Sequence, residues 1–469
     1  QINTAATFFI TNSLNPCRAQ LLLSIIQMRV QNYNLTLTTF DKNKIFSKIK
    51  IHFLKQVSDM YKKNIKQNFS DLGEWDFYCN DLVVEYQQCI DEGLDVEKYK
   101  DVFDAVINLP RSEVKKKLSD VIFEAVSNSE ETTDYKYCEP SELEEIKTLR
   151  KEHNFNKKPF NEELLKDKIA GAWTGRICGC LLGKPVEGIR TEEFLPLLKN
   201  SGNYPLKRYI LSTDITEEMC ETYKFGLRDK CYADTVHGMP VDDDTNYVVM
   251  AQLIIENYGR DFKPSDVAKS WTKHQSKDAY FTAERVAFYN FINGFEPPYS
   301  AIHKNPYREW IGAQIRGDYF GYINPGDPEL AAEMAFRDAS ISHVKNGIYG
   351  EMWVSAMLAC AAVTDNIEDI ILGGLSEIPH TSRLYEAITN VIADYKNGVS
   401  YDDCCKKIHS LFDEHTGYGW CHTIPNAMIA AVALLYGEGD FGKSICCAVG
   451  MAFDTDCNGA TVGSILGMR

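Results

Sequence analysis

"KIAGAWTGRICGCLLGKPVEG", residues 168–188, decides how the rest of the chain is read. Gly171, Gly175, Gly179 and Gly183 recur every four residues, which places them on one ridge of a helix. Glycine in a helix interior costs about 1 kcal/mol relative to alanine. A row of four therefore implies a gain elsewhere: without side chains, the ridge admits a second helix or a ligand to the backbone. "CNGATVGSILG", residues 457–467, repeats the pattern with Gly459, Gly463 and Gly467. Two such ridges predict two tightly packed central helices. Few segments alternate with period two, so the reading is an all-α fold.

Around this core the texture of the chain changes once. Residues 1–156 are rich in Lys, Asn, Tyr and Phe and carry no chemical motif; they read as an appended N-terminal helical domain. Within them, residues 46–67 have the spacing of an amphipathic helix. Residues 102–126 read as two helices broken near Pro110, with Ser112 as N-cap. A polar segment follows, in which Ser141 and Glu144 have the spacing of a capping box. Residues 157–469 gain Gly, Ala and Cys and read as a compact multi-helix core. Its most apolar runs, "MWVSAMLACAAV" and "NAMIAAVALLY", fall short of the ~18–20 residues that span a bilayer, so they predict buried helices and no membrane span.

The 469-residue chain has a net charge of −16, which disfavours general binding to nucleic acid or anionic membranes. Its 15 cysteines are scattered, with no CxxC pair. Reduced thiols in a cytoplasmic compartment are the expectation. The N-terminus lacks the pattern of a signal peptide.

The acids raise the chemical question. In "GMPVDDDTNYVVMAQLII", Asp242, Asp243 and Asp244 stand together before an apolar helix. Capping and the helix dipole explain one aspartate well and three poorly. In "GMAFDTDCNGATVG", Asp454 and Asp456 again precede a small-residue helix. Asp-x-Asp spacing lets two carboxylates converge on one cation. If both helix starts meet in one cleft, the repulsion calls for cations, and all-oxygen ligands select Mg²⁺, Mn²⁺ or Ca²⁺. Glu187, just past the first ridge, has a route into the same cleft.

The segments "GAWTGRICGCLLGKPVEG", "DDDT", "SHVKNGIYGEM" and "DTDCNGATVGSILG", in that order, resemble the ADP-ribosylglycohydrolase family from residue 161 onward. The resemblance implies an all-α fold with two Mg²⁺ ions that hold a ribose. It implies metal ligation by Asp242, Asp243, Asp244, Asp454, Asp456 and Cys457, with Glu187, Asp243 and Asp456 acting in catalysis. Asp242 stands where the family usually has threonine, and Cys457 replaces another threonine; a thiol is a poor Mg²⁺ ligand. "GAQIRGDYFGY" and "SHVKNGIYG" resemble the family's ribose-phosphate segments, which implies substrate contacts from Arg316, His343, Asn346, Gly347 and Gly350. From the residues alone, Arg316 equally fits an ion pair with Asp318 or Asp338, and His343 a satisfied core histidine. The implied activity is Mg²⁺-dependent hydrolysis of an N- or O-glycosidic bond to ADP-ribose. A non-catalytic ADP-ribose-binding module, a hydrolase of another ribosyl or nucleotide compound, and a di-metal phosphohydrolase stay open.

Overall fold

The two glycine ridges meet. In a computed structural model that describes residues 68–69 and 71–469, the first lies on helix Glu162–Gly183 and the second on helix Thr455–Met468. They interlock glycine against glycine. A Cβ on Gly171 would fall 2.5 Å from the Gly467 carbonyl oxygen, on Gly175 2.1 Å from that of Gly463, and on Gly179 1.8 Å from that of Gly459. At Gly183 it would fall 2.3 Å from the backbone of Thr455. No other residue fits, so the ridge spacing specifies the pairing and its register.

Two apolar helices, Lys345–Ala361 and Thr423–Tyr436, fill the centre of the main core, as the apolar runs predict. Helices are the regular structure throughout, and among the described residues there is no β-strand, only two isolated bridges. None of the described helices is long and apolar enough to cross a membrane. The cysteines of the described residues are free thiols.

Phe69–Arg469 form one compact unit. Its first helices, Leu82–Asp91, Lys100–Ile107 and Glu113–Ser127, gather a small core of their own around Leu82, Phe103 and Ile122. Ser112 caps the third of these, accepting a hydrogen bond from Lys115 N at 3.1 Å. Ser141 does not cap helix Leu143–Thr148: Glu142 holds the N-cap position without a side-chain bond, and Ser141 Oγ accepts from Lys345 N instead. The helix expected over residues 46–67 lies outside the described residues.

Buried charge ties these helices to the rest. Arg308 pairs with Glu85 at 2.7 Å and Glu92 at 2.6 Å. Arg383 pairs with Glu139 at 2.7 Å and Glu309 at 2.8 Å. Gln88 Nε2 donates to Glu309 at 2.6 Å. Charges this deeply buried are tolerable only when each has its partner.

Candidate metal centre

Helix Asp243–Tyr258 begins at Asp242, whose extended backbone lets its Oδ1 accept from Asp244 N at 2.9 Å. Asp242 is thus the capping aspartate. Its Oδ2 receives the Lys184 ammonium. Asp244 is fully buried; its Oδ1 accepts from Arg176 Nη2 at 3.0 Å, and Arg176 Nη1 reaches Asp318 Oδ2 at 2.9 Å. Asp243 is half-buried in the first helical turn.

The second acidic start is set by a tight turn. Ala452 and Phe453 both adopt positive φ, at 62° and 60°, a conformation non-glycine residues rarely take. The turn aims buried Asp454 and Asp456 at the first cluster. Gly183 makes room for it, and Thr455 Oγ1 anchors it by donating to the Gly183 carbonyl at 2.9 Å. Asn426 locks it from the other side: its Oδ1 accepts from Asp454 N at 3.3 Å and Asn458 Nδ2 at 2.7 Å. Its Nδ2 donates to the carbonyls of Trp420 and His422. That places Cys421 Sγ 3.7 Å from Asp454 Oδ2.

Two buried ligand sets result, each with its donor atoms within 4.8 Å of one another: Cys180, Asp242, Asp244 and Asp456; and Asp454, Asp456 and Cys457. Asp456 belongs to both. Glu187 stands exposed at the rim, just after the 3-10 turn Lys184–Val186. Burial, then repulsion from Asp242 and its neighbours, holds the Asp243 carboxyl well above the usual carboxylate range. Burial likewise raises Asp244, despite Arg176. Asp456 is raised by burial and then by Glu187; the same two causes push Asp454 up to about 7. The Cys180 and Cys457 thiols are raised by burial and the surrounding acids, which keeps them protonated and poor ligands for a hard ion.

The donor set tests the implied metals directly. Asp244 Oδ2, Asp454 Oδ1 and Asp456 Oδ1 are buried with no hydrogen-bond partner. Unpaired buried carboxylate oxygens are costly, and a hard divalent ion is the partner that suits several at once. The residues fit such an ion.

The remaining sequence-implied residues lie in the interior. Arg316 is buried, with Nη1 on Glu284 Oε1 at 2.7 Å, Nη2 on the Asp338 carbonyl and Ser342 Oγ, and Nε on Asp338 Oδ2. The ion pair with Asp338 that the sequence left open is present, and no Arg316 nitrogen is left for a diphosphate. His343 is buried, shares a hydrogen bond between Nδ1 and Ser342 Oγ at 2.8 Å, and is held neutral by burial and by Arg316. Asn346 donates to Glu309 at 2.9 Å and Glu139 at 2.8 Å. The Gly347 amide is taken by the Val344 carbonyl, and a Cβ there would meet the Arg308 carbonyl at 2.6 Å. At Gly350 a Cβ would meet Thr423. Packing and charge pairing thus engage Arg316, Asn346 and the two glycines, while His343 Nε2 is buried with no hydrogen-bond partner.

Sequence reading missed Arg176, Cys180 and Lys184. Their signal was present: each directly follows a ridge glycine, so they share the same four-residue spacing on the adjoining face. Cys421 and Asn426 gave no such signal, since only the chain's path brings them to Asp454.

The family model described as ADP-ribosylglycohydrolase matches residues 161–469. A search of curated proteins finds no match. A solved structure described as an "ADP-ribosylglycohydrolase-related protein complex" is similar over 65% of this chain and 88% of its own, at 17% identity and a TM-score of 0.44. The family is one of metal-dependent hydrolases that act on ADP-ribosylated substrates. Because the matched residues 161–469 include the whole acidic centre, the chain belongs to the ADP-ribosylglycohydrolase family and is a glycosidic-bond hydrolase.

Proposed function

We propose that this chain hydrolyses an N- or O-glycosidic bond to ADP-ribose, using a centre of two Mg²⁺ ions held between the starts of helices Asp243–Tyr258 and Thr455–Met468. The observation that carries the reading is the set of unpartnered oxygens on Asp244, Asp454 and Asp456, contributed by both helix starts to one place. Asp456, common to both ligand sets, would contribute to holding either ion. Bound ions supply Lewis-acid polarisation of ribosyl oxygens and acidify a water. Mn²⁺ and Ca²⁺ are the substitutes that oxygen ligands allow.

The protein's own residues do the rest. Half-buried Asp243, which belongs to neither ligand set, is the carboxylate assigned to accept the proton of the attacking water. Exposed Glu187 at the rim receives or releases that proton at the solvent boundary. Arg176 fixes the Asp244 carboxylate, and Asn426 fixes the turn before Asp456. Arg316, His343 and Asn346 are buried and bonded to Glu284, Ser342 and Glu309. Free thiols near the acids, Cys180, Cys421 and Cys457, suit a reducing, cytoplasmic compartment.

The test is substitution with product analysis. Asp243→Ala and Asp456→Ala each abolish metal-dependent release of intact ADP-ribose from an ADP-ribosylated substrate, while circular dichroism confirms the fold. Undiminished release in either variant removes that residue from the chemistry and the reading with it. Release of AMP or phosphate instead of ADP-ribose identifies a phosphohydrolase.

A further inference from the structure

We propose that Lys184 is a tethered cation of the acidic centre, holding the Asp242 corner until a divalent ion displaces it. The inference rests on the reading of that centre as a divalent-ion site, and it adds that the two ions bind unequally.

The carboxylate oxygens fall into two classes. Asp242 has both oxygens engaged, Oδ1 by Asp244 N at 2.9 Å and Oδ2 by the Lys184 ammonium. Asp244, Asp454 and Asp456 each keep one buried oxygen with no partner. An ion among Asp454, Asp456 and Cys457 displaces no bonded ammonium, since Lys184 acts on Asp456 only through its charge and bonds Asp242. Occupying the Cys180, Asp242, Asp244 and Asp456 set requires Lys184 to release Asp242 and withdraw its charge. Two like charges in a poorly solvated site repel strongly, so the second affinity is reduced by Lys184 for as long as its ammonium stays.

Lys184 is built to move. Its side chain is 19% exposed, whereas that of Asp242 is 1% exposed, so it enters from the rim. It opens the 3-10 turn that ends at Glu187, and the Glu187 carboxylate is among the charges acting on it. Glu187 offers a second acid to which the ammonium can turn. The arrangement also accounts for a third aspartate, Asp242, at the start of the helix. The added negative charge is matched by Lys184, which follows the last glycine of the ridge.

Titration of the full chain with Mn²⁺, followed by calorimetry and by the electron-paramagnetic resonance of free Mn²⁺, tests this against Lys184→Gln and Lys184→Arg. The wild type takes up two ions in steps separated by at least about tenfold in affinity, and Lys184→Gln narrows the separation by about tenfold. Lys184→Arg, which keeps the charge, retains it. Mn²⁺ also raises the melting temperature of Lys184→Gln more than that of the wild type, because the metal-free variant leaves Asp242 without a counter-charge. Two ions bound with an unchanged separation in Lys184→Gln overturn the role of Lys184 and leave the metal centre standing. No ion bound by any of the three proteins overturns both.

Discussion

Gly179→Ala isolates what the glycine ridge does. Judged by helix propensity alone, the change stabilises helix Glu162–Gly183 by about 1 kcal/mol. The contact geometry says otherwise: the new methyl would lie 1.8 Å from the Gly459 carbonyl oxygen and 3.0 Å from Ala460 N. Reaching an ordinary carbon–oxygen separation requires helix Thr455–Met468 to retreat by roughly 1.5 Å. The obstacle is backbone, so no rotamer change relieves it, and the neighbouring ridge contacts at Gly175 and Gly183 are pulled apart together. Overpacking of this kind costs typically about 1–3 kcal/mol, and more where backbone must shift. The net expectation is destabilisation by about 2 kcal/mol or more, with weaker divalent binding because Asp454 and Asp456 ride on the displaced helix. Gly442→Ala is the control. It is also helical, but its Cβ would meet nothing closer than Asp440 Oδ1 at 3.6 Å, so it gains stability by up to about 1 kcal/mol. Urea unfolding followed by circular dichroism reads both, and Mn²⁺ titration reads the site. Equal stabilisation by the two alanines would refute the ridge as the element that specifies the helix pair.

The other expectations concern charge and the short helix Gly417–Cys421 beside Asp454. Arg383→Met removes the buried cation shared by Glu139 and Glu309, leaving them only neutral donors such as Asn346, and destabilises the protein by about 3 kcal/mol in denaturant titrations, whereas Arg228→Met, which touches only exposed Glu217, leaves the unfolding curve in place. Tyr418→Phe removes the hydroxyl that donates to Asp91; hydrogen exchange over residues 417–422 accelerates by about fivefold, as loss of about 1 kcal/mol predicts, while helix Lys345–Ala361 is unaffected. Asp454 sits at about 7 in the fold against an ordinary 3.8, so its raised value favours the protonated, folded form below pH 3.8 and that contribution is lost as pH rises to 7. Melting scans with Mg²⁺ and with chelator should therefore diverge as pH increases from 5 to 8, and a gap independent of pH would remove the buried acids as the ion's ligands.

What could be read in advance follows from which information is local. The ridges, the apolar helices and the Ser112 cap are each fixed by spacing within one helix, and the structure bears them out. The acids were legible because two helix starts carried the same costly pattern, and costly patterns seek a shared explanation. The contacts of Arg316, His343 and Asn346 were not, because a motif shows which residues stand near a centre and not which atoms are free to reach a ligand. Arg316 shows the difference: its nitrogens are consumed by Glu284, Asp338 and Ser342. Ser141 shows it again, since a capping pattern lost to a backbone amide 204 residues further along the chain.

The same reasoning explains why the centre is shaped by the ridge helix as much as by its acids. Glycine at 175, 179 and 183 brings the Thr455–Met468 backbone into contact, and the residue after each glycine then necessarily borders the junction. Those residues are Arg176, Cys180 and Lys184: one fixes Asp244, one joins the ligand set around Asp242, and one neutralises Asp242 itself. A four-residue repeat chosen for close packing thus carries a second four-residue repeat that sets the charge of the site. Substitutions at these three positions are accordingly expected to change divalent-ion affinity while leaving the helix pairing intact, whereas substitutions at the glycines disturb both.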